Sequence, residues 1–202
     1  MPRLIEQREN HEFFNSAYEG TPPWDIGRPQ KEIIRVAKDG EISGRVLDAG
    51  CGTGENTLYL AGLGFDVWGI DAVPSAIERA KEKAEKRGVT VNFLVSDAFK
   101  LQSLHTKFDT VIDCGLFHVF SDEERPIFAA GLSSALSPGG KYLMLCFSEH
   151  EPGLYGPRRV TQAEIRAAFS KGWKINYIRE AELETTSGAG GVKAWLSSIT
   201  RL

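Results

Sequence analysis

The sequence predicts an α/β fold: a doubly wound, mostly parallel sheet with an N-terminal helical cap and a C-terminal antiparallel hairpin. Three observations predict it. From Arg45 onward, short apolar runs of strand length alternate with helical patterns, the cadence of a parallel sheet covered on both faces. A glycine-rich turn, "VLDAGCGTGENT" (46–57), follows the first of those runs. The tail then breaks the cadence with two strand-like runs joined by "SGAGG".

Element by element, residues 8–18 read as a short amphipathic helix with Phe13, Phe14 and Tyr18 on one side. The breaker-rich segment "EGTPPWDIGRPQ" (19–30) leads to a second helical pattern over 30–40, stopped by Gly40. Strands are expected at 45–49, 66–71, 91–97, 109–114 and 141–148, with helices near 55–63, 75–87 and 121–136. Pro74 at a helix start and Gly88 past its end follow the usual asymmetry. A helix at 161–170 precedes the two runs of the hairpin, 174–185 and 192–200. No internal repeat or linker interrupts the 202 residues, so one domain is expected, with a cap and lid loop over 1–43 and a ligand-binding core over 44–202.

Composition narrows the function classes. A hydrophobic content of 42% with 25% charged residues is ordinary for a globular chain. A net charge of −3 argues against a nucleic-acid partner. The N-terminal residues carry no apolar stretch of signal-peptide type, and no run of ~20 apolar residues suggests a membrane span. Cys51, Cys114 and Cys146 are odd in number and form no C-x-x-C pair, and the four histidines lack metal-ligand spacing. A cytoplasmic, metal-free protein, monomer or homodimer, acting on a small molecule is the expectation.

Which ligand the glycine turn holds is decided by charge. The dinucleotide pattern G-x-G-x-x-G fails from Gly50, where Glu55 replaces the third glycine, and from Gly52 it ends in Thr57. Between Val46 and Glu78 there is no Lys or Arg, but there are Asp48, Glu55, Asp66, Asp71 and Glu78. Four successive strands end in or near an acid: Asp48, Asp71, Asp97 and Asp113. A pyrophosphate would be repelled at that edge, with only backbone N–H groups and a helix N-terminus to offset it. A ligand with a sulfonium, an ammonium and a neutral ribose suits it, and S-adenosylmethionine has those groups without a phosphate.

The segments "VLDAGCGTGENT", Asp71 after "VWGI", "VSDAF" and "FDTVIDCGLFHVF" resemble the class I S-adenosylmethionine-dependent methyltransferases over nearly the whole chain. "PPWDIGRPQ" is similar to the thiopurine, thiol and halide branch, in particular to bacterial members that methylate small aromatic and heterocyclic compounds. The resemblance implies a Rossmann-like, seven-stranded sheet of order 3-2-1-4-5-7-6 with the seventh strand antiparallel. It implies that Gly50 and Gly52 admit the methionine portion of the cofactor and that Asp48 orders the loop and the ammonium. Asp71 takes the ribose hydroxyls, and Asp97 with Ala98 meets the adenine edge. Asp113 and Cys114 contact the cofactor and position the acceptor. "DCGLF" departs from the Asn/Asp-Pro-Pro-Tyr/Phe signature of enzymes that methylate nucleic-acid and protein nitrogens, and no carboxylate set after Asp97 suggests a magnesium site.

Methyl transfer needs mainly alignment of the reacting atoms, with base help for a phenol or hydroxyquinoline. His118 in "GLFHVF" is the candidate base; the competing reading is a packed histidine bonded to backbone. Trp24 is either a core residue pinning the cap or, as the resemblance implies, a lid over the cofactor, where an aromatic face favours a cation. Tyr18 and Phe14 line the cap or pack within it. Phe117, Phe147 and Tyr155 are candidates for the acceptor pocket, and Arg158 with Arg159 for an anionic acceptor or a solvated pair. The reading is a methyltransferase acting on an O, N or S atom of a small aromatic or heterocyclic compound and releasing S-adenosylhomocysteine. The alternatives are a thiol or halide methyltransferase, a nicotinamide-dependent oxidoreductase, and a non-catalytic cofactor-binding module.

Overall fold

In the computed structural model, residues 12–187 and 191–202 are described. Residues 12–17 are helical (α1), the described part of the helix expected over 8–18; its first residues lie outside the described range, as do 188–190 of the hairpin turn. The chain continues as α2 (Lys31–Lys38), β1 (Arg45–Ala49), α3 (Glu55–Gly62), β2 (Asp66–Asp71), α4 (Pro74–Arg87) and β3 (Asn92–Val95). Beyond a 3₁₀ segment at Ala98–Leu104 come β4 (Phe108–Cys114), a 3₁₀ turn at Phe117–Val119, α5 (Glu124–Ala135) and β5 (Leu136–Phe147). The last elements are α6 (Gln162–Ala168), β6 (Trp173–Leu183) and β7 (Val192–Arg201).

The strands form one seven-stranded sheet in the order β3-β2-β1-β4-β5-β7-β6. β1 to β5 run parallel, and β7 is antiparallel to both β5 and β6. This is the order and the sense of strand that the sequence resemblance implies. Alternation along β5 shows why both faces are covered. Tyr142, Met144 and Cys146 enter one buried cluster with Phe128, Leu132, Ile165 and Phe169 of the α5–α6 side. Leu143, Leu145 and Phe147 enter the other, with Ile33, Val36 and Leu60 of α2 and α3. Each such aliphatic side chain contributes roughly 1.5–3 kcal/mol on burial.

Several boundaries differ from the sequence reading for local reasons. β5 begins at Leu136 rather than 141, because "SPGG" is absorbed as an irregularity between the pairs Phe108↔Leu136 and Thr110↔Lys141. β3 shortens to four residues because Asp97 turns the chain, its carboxylate accepting Phe99 N–H at 2.9 Å. α5 starts after Ser121, whose N–H donates to Glu124 at 3.0 Å. α6 is shorter at both ends, and Thr161 with Glu164 forms a capping box at its start. Among the described residues, no helix is long and apolar enough to cross a membrane.

Candidate active site

The carboxyl ends of the parallel strands open into a cavity of about 1060 Å³, where ligands bind in open α/β sheets. Its floor is the turn after β1. Gly50 and Cys51 donate their N–H groups to Ile70 O, and Gly52 N–H donates to Asp71 at 2.9 Å. The other Asp71 oxygen accepts Val73 N–H, also at 2.9 Å. Asp71 therefore ties the ends of β1 and β2 together at the cavity wall.

The turn is closely packed against its neighbours. Gly52 has φ +54°, and a Cβ on it would stand 2.6 Å from the Tyr18 hydroxyl; one on Gly50 would meet Leu116 at 3.2 Å. Cap and turn thus approach as closely as glycine allows. Phe14, Tyr18 and Trp24 cluster over Val73 and Ala76 and line the cavity as its roof. Trp24 Nε1–H donates to the Tyr18 hydroxyl at 3.0 Å, and the Arg79 guanidinium grips Tyr18 O and Gly20 O at 2.7 and 2.8 Å. Burial beside Asp71 holds the Tyr18 phenol well above its usual range.

The lid loop is clasped from the far side by the end of β6. Arg28 pairs with both Glu184 oxygens at 3.0 Å, Lys31 N–H donates to the same carboxylate, and Lys31 Nζ reaches Glu182. Gln30 exchanges two 2.8 Å bonds with the backbone of Glu184. Thr186 N–H donates to Pro23 O at 2.8 Å.

Of the residues singled out in the sequence, Trp24, Gly50, Gly52, Asp71, Asp97, Ala98, Cys114, His118, Phe14, Tyr18, Phe147, Tyr155 and Arg158 all line this cavity. Asp48, Asp113 and Phe117 do not, which corrects their reading as contact residues. Asp48 is buried and accepts the Thr57 hydroxyl at 2.5 Å. Burial, reinforced by the Asp113 and Asp71 charges, pushes its carboxyl up to about 7. Asp113 is also pushed up to about 7 by burial, against the bonds it accepts from Leu116 N–H, Phe117 N–H and Tyr142 OH. Those bonds shape the turn that carries Cys114 and His118 to the wall. Phe117 points away, under the Arg125 guanidinium at 4.8 Å and against Phe169.

The two arginines are already engaged. Arg158 pairs with Asp122 at 2.7 Å and with Glu164. Arg159 donates to the carbonyls of Glu151, Pro152, Gly153, Tyr155 and Pro157, so that it holds together the loop presenting Tyr155 at the mouth. Its guanidinium also lies 5.2 Å from the Phe147 ring. The anionic-acceptor reading of this pair loses its ground.

His118 is 6% exposed, stacks edge-on against Phe147 at 5.0 Å, and accepts Phe147 N–H through Nδ1 at 3.1 Å. Burial, with the charges of Arg125 and Arg159, lowers its imidazole to about 3. It is neutral throughout the physiological range.

Sequence reasoning missed Leu116, Phe120 and Glu124, which share the wall with His118, and Leu183 and Val192 of the hairpin. It also missed Lys83. That ammonium reaches Thr53 at 2.7 Å, beside the turn, and is balanced by Glu55 at 2.8 Å. The sequence near "HVF" carried a local signal for the first group; only the fold brings in the others. Among the described residues, no group of three or more His, Cys, Asp or Glu could hold a metal ion.

Comparison with known proteins agrees with this geometry. Residues 46–140 match the methyltransferase domain family. The chain is 38% identical over 183 residues to the 2-heptyl-1-hydroxyquinolin-4(1H)-one methyltransferase of Mycobacteroides abscessus, covering 85% of this chain and 81% of that one. It is 30% identical over 204 residues to probable thiol methyltransferase 2 of Arabidopsis thaliana, covering 98% and 90%. A solved structure concerned with conversion of a disulfide bond into a thioacetal group during echinomycin biosynthesis superposes with a TM-score of 0.86 at 38% identity, over 95% of this chain and 92% of that one. The chain belongs to the class I S-adenosylmethionine-dependent methyltransferases. Within that class it is related to the enzymes of bacteria and plants that methylate small molecules.

Proposed function

We propose that the protein transfers the methyl group of S-adenosylmethionine to a heteroatom of a small aromatic or heterocyclic compound. The observation that carries this reading is one continuous cavity, about 1060 Å³, running from the Gly50–Gly52 turn to an aromatic wall of Phe14, Trp24, Phe120 and Phe147. That volume lies at the top of the range for small-molecule sites, enough for a cofactor and a flat acceptor side by side.

The bound cofactor supplies a methyl carbon activated by its sulfonium. The chain supplies position. Gly50 and Gly52 admit the methionine portion to the backbone, Asp71 receives the ribose hydroxyls, and Asp97 with Ala98 borders the adenine. Trp24 closes over the sulfonium with an aromatic face, a favourable partner for a cation. The roof covers the cavity, the Arg28–Glu184 clasp ties the lid loop to the end of β6, and Phe147 with His118 sets the plane of the acceptor opposite the methyl group. Alignment of this kind provides most of the rate enhancement that an in-line displacement needs.

A thiol acceptor is the second reading, favoured by the 30% identity that spans almost the whole chain and the plant enzyme. Incubation with labelled cofactor and a panel of N-hydroxy and phenolic heteroaromatics, thiols and halides tests both. Label in the heteroaromatics is expected. Activity confined to iodide or thiocyanate would overturn the aromatic reading.

A further inference from the structure

His118 was the residue from which base catalysis was expected, and its hydrogen bonding runs the other way. Phe147 N–H can only donate, so the nitrogen facing it, Nδ1 at 3.1 Å, carries a lone pair and no proton. The neutral ring then carries its proton on Nε2. Turning the ring over would set a carbon against the amide and lose the bond. Nε2 has no hydrogen-bond partner among the described residues and is absent from their fully buried unpartnered atoms, so the ring's residual exposure is to the cavity it lines. The nitrogen able to accept a proton faces the backbone, and the nitrogen facing the ligand has a hydrogen to give.

We propose that His118 is a hydrogen-bond donor that selects the acceptor through Nε2–H, and that the protein uses no side-chain base at this position. The inference rests on the reading of this cavity as the acceptor site. Its consequence is a substrate class: aromatic or heterocyclic acceptors acidic enough to be ionised near neutral pH, such as N-hydroxy heteroaromatics or heteroaryl thiols. The acceptor's proton is released to solvent before transfer. The anion's electron pair then forms the new bond to the methyl carbon while the carbon–sulfur pair returns to sulfur, leaving a neutral methylated product and a neutral thioether.

The charged groups near the ring are engaged elsewhere, so the ring's own N–H is what this wall offers an anion. Arg125 of α5 and Arg159 of the 149–160 loop disfavour a charged imidazole, but Arg125 pairs with Glu164 at 2.8 Å and Arg159 is bonded to loop carbonyls. The Glu124 carboxylate lines the same cavity but accepts Ser121 N–H at its own helix start. Arg158 and Tyr155 at the mouth are held by Asp122, Glu164 and Glu151.

The test is kcat/KM against pH for a series of acceptors of graded acidity, with labelled cofactor, for the native enzyme, His118→Gln and His118→Asn. The Asn oxygen can take Phe147 N–H but cannot reach the cavity, whereas the Gln amide places an N–H near Nε2. Each native profile is expected to rise at the acceptor's own pKa and to move with it along the series. His118→Asn should lose roughly ten- to hundredfold in kcat/KM, chiefly through acceptor KM. His118→Gln should lose clearly less, and both variants should bind S-adenosylhomocysteine as the native enzyme does. A limb fixed at one pH for all acceptors and absent from both variants would overturn the proposal, as would equal activity of the Asn and Gln variants. Absence of transfer to every acceptor, with the cofactor product bound, would overturn the functional reading as well.

Discussion

Replacing Gly52 by alanine tests the close fit between cap and glycine turn. The added Cβ would stand 2.6 Å from the Tyr18 hydroxyl, with the next ring atom at 3.7 Å. Tyr18 has little room to retreat: it is 4% exposed, bonded through its hydroxyl to Trp24 and held at its carbonyl by Arg79. Two costs follow. An L residue at φ +54° loses about 1 kcal/mol, and displacing the hydroxyl breaks the Trp24 bond for about another 1 kcal/mol. The total, ~2 kcal/mol, lowers the melting midpoint by roughly 4–8 °C at this chain length. Gly40→Ala is the control, because φ is +71° there and nothing lies within 4 Å; it should cost only the backbone share, ~1 kcal/mol. Tyr18→Phe alone should cost about 1 kcal/mol. In the Gly52→Ala background it removes the clash, so the double variant should be more stable than additivity allows by ~1 kcal/mol. Thermal unfolding measures the cycle, and calorimetry should show S-adenosylhomocysteine binding roughly fivefold weaker in Gly52→Ala, as ~1 kcal/mol of wedge strain implies. Additive behaviour, with Gly52→Ala indistinguishable from Gly40→Ala in midpoint and affinity, would refute the reasoning.

Three further expectations come from other parts of the site. Asp48 and Asp113 bind protons in the folded chain up to about pH 7 but not in the unfolded chain above its ordinary carboxylate value, whereas His118 binds one only in the unfolded chain between about 3 and 6.5. Between pH 4.5 and 6.5 the folded state holds about one extra proton net, so the stability of the free protein should fall with rising pH by on the order of 1 kcal/mol per unit; Asp48→Asn should flatten that slope in denaturant titrations, and a rising native slope would contradict the assignment. Glu184→Gln should weaken the clasp on the exposed Arg28, and stopped-flow displacement should show S-adenosylhomocysteine leaving several-fold faster. Arg159→Ala releases five carbonyls of the Tyr155 loop, so acceptor KM should rise about tenfold or more while cofactor affinity stays within twofold; steady-state kinetics and calorimetry separate the two.

How much of this was legible in the sequence depended on whether the signal was local. The strand–helix cadence and the glycine turn are local, and they located the parallel sheet and the floor of the site. Side-chain direction at the end of β4 is not. Asp113 and Cys114 are adjacent, so one lines the cavity and the other lies beneath it, and the resemblance, which implied both as contacts, could not separate them. Phe117 is displaced for a similar reason, since the 3₁₀ turn sends Leu116 and His118 to the wall and Phe117 to the core. The Arg28–Glu184 clasp joins residues 156 apart, and nothing within either segment announces the other. The stretch free of Lys and Arg was real in sequence, but α4 brings Lys83 back to Thr53 in space. His118 was found by position; only the partner of Nδ1 shows what it can and cannot do.

The most direct test of the account is a crystal structure of the protein with S-adenosylhomocysteine and a heteroaromatic acceptor bound together. The account expects the product's sulfur above Gly50 and Gly52, its ribose at Asp71, and the acceptor ring between Trp24 and Phe147. The reacting heteroatom should lie on the line from that sulfur through the position of the lost methyl, ~3–3.5 Å from it. An acceptor seated outside this cavity, or a cofactor product bound away from the glycine turn, would contradict it.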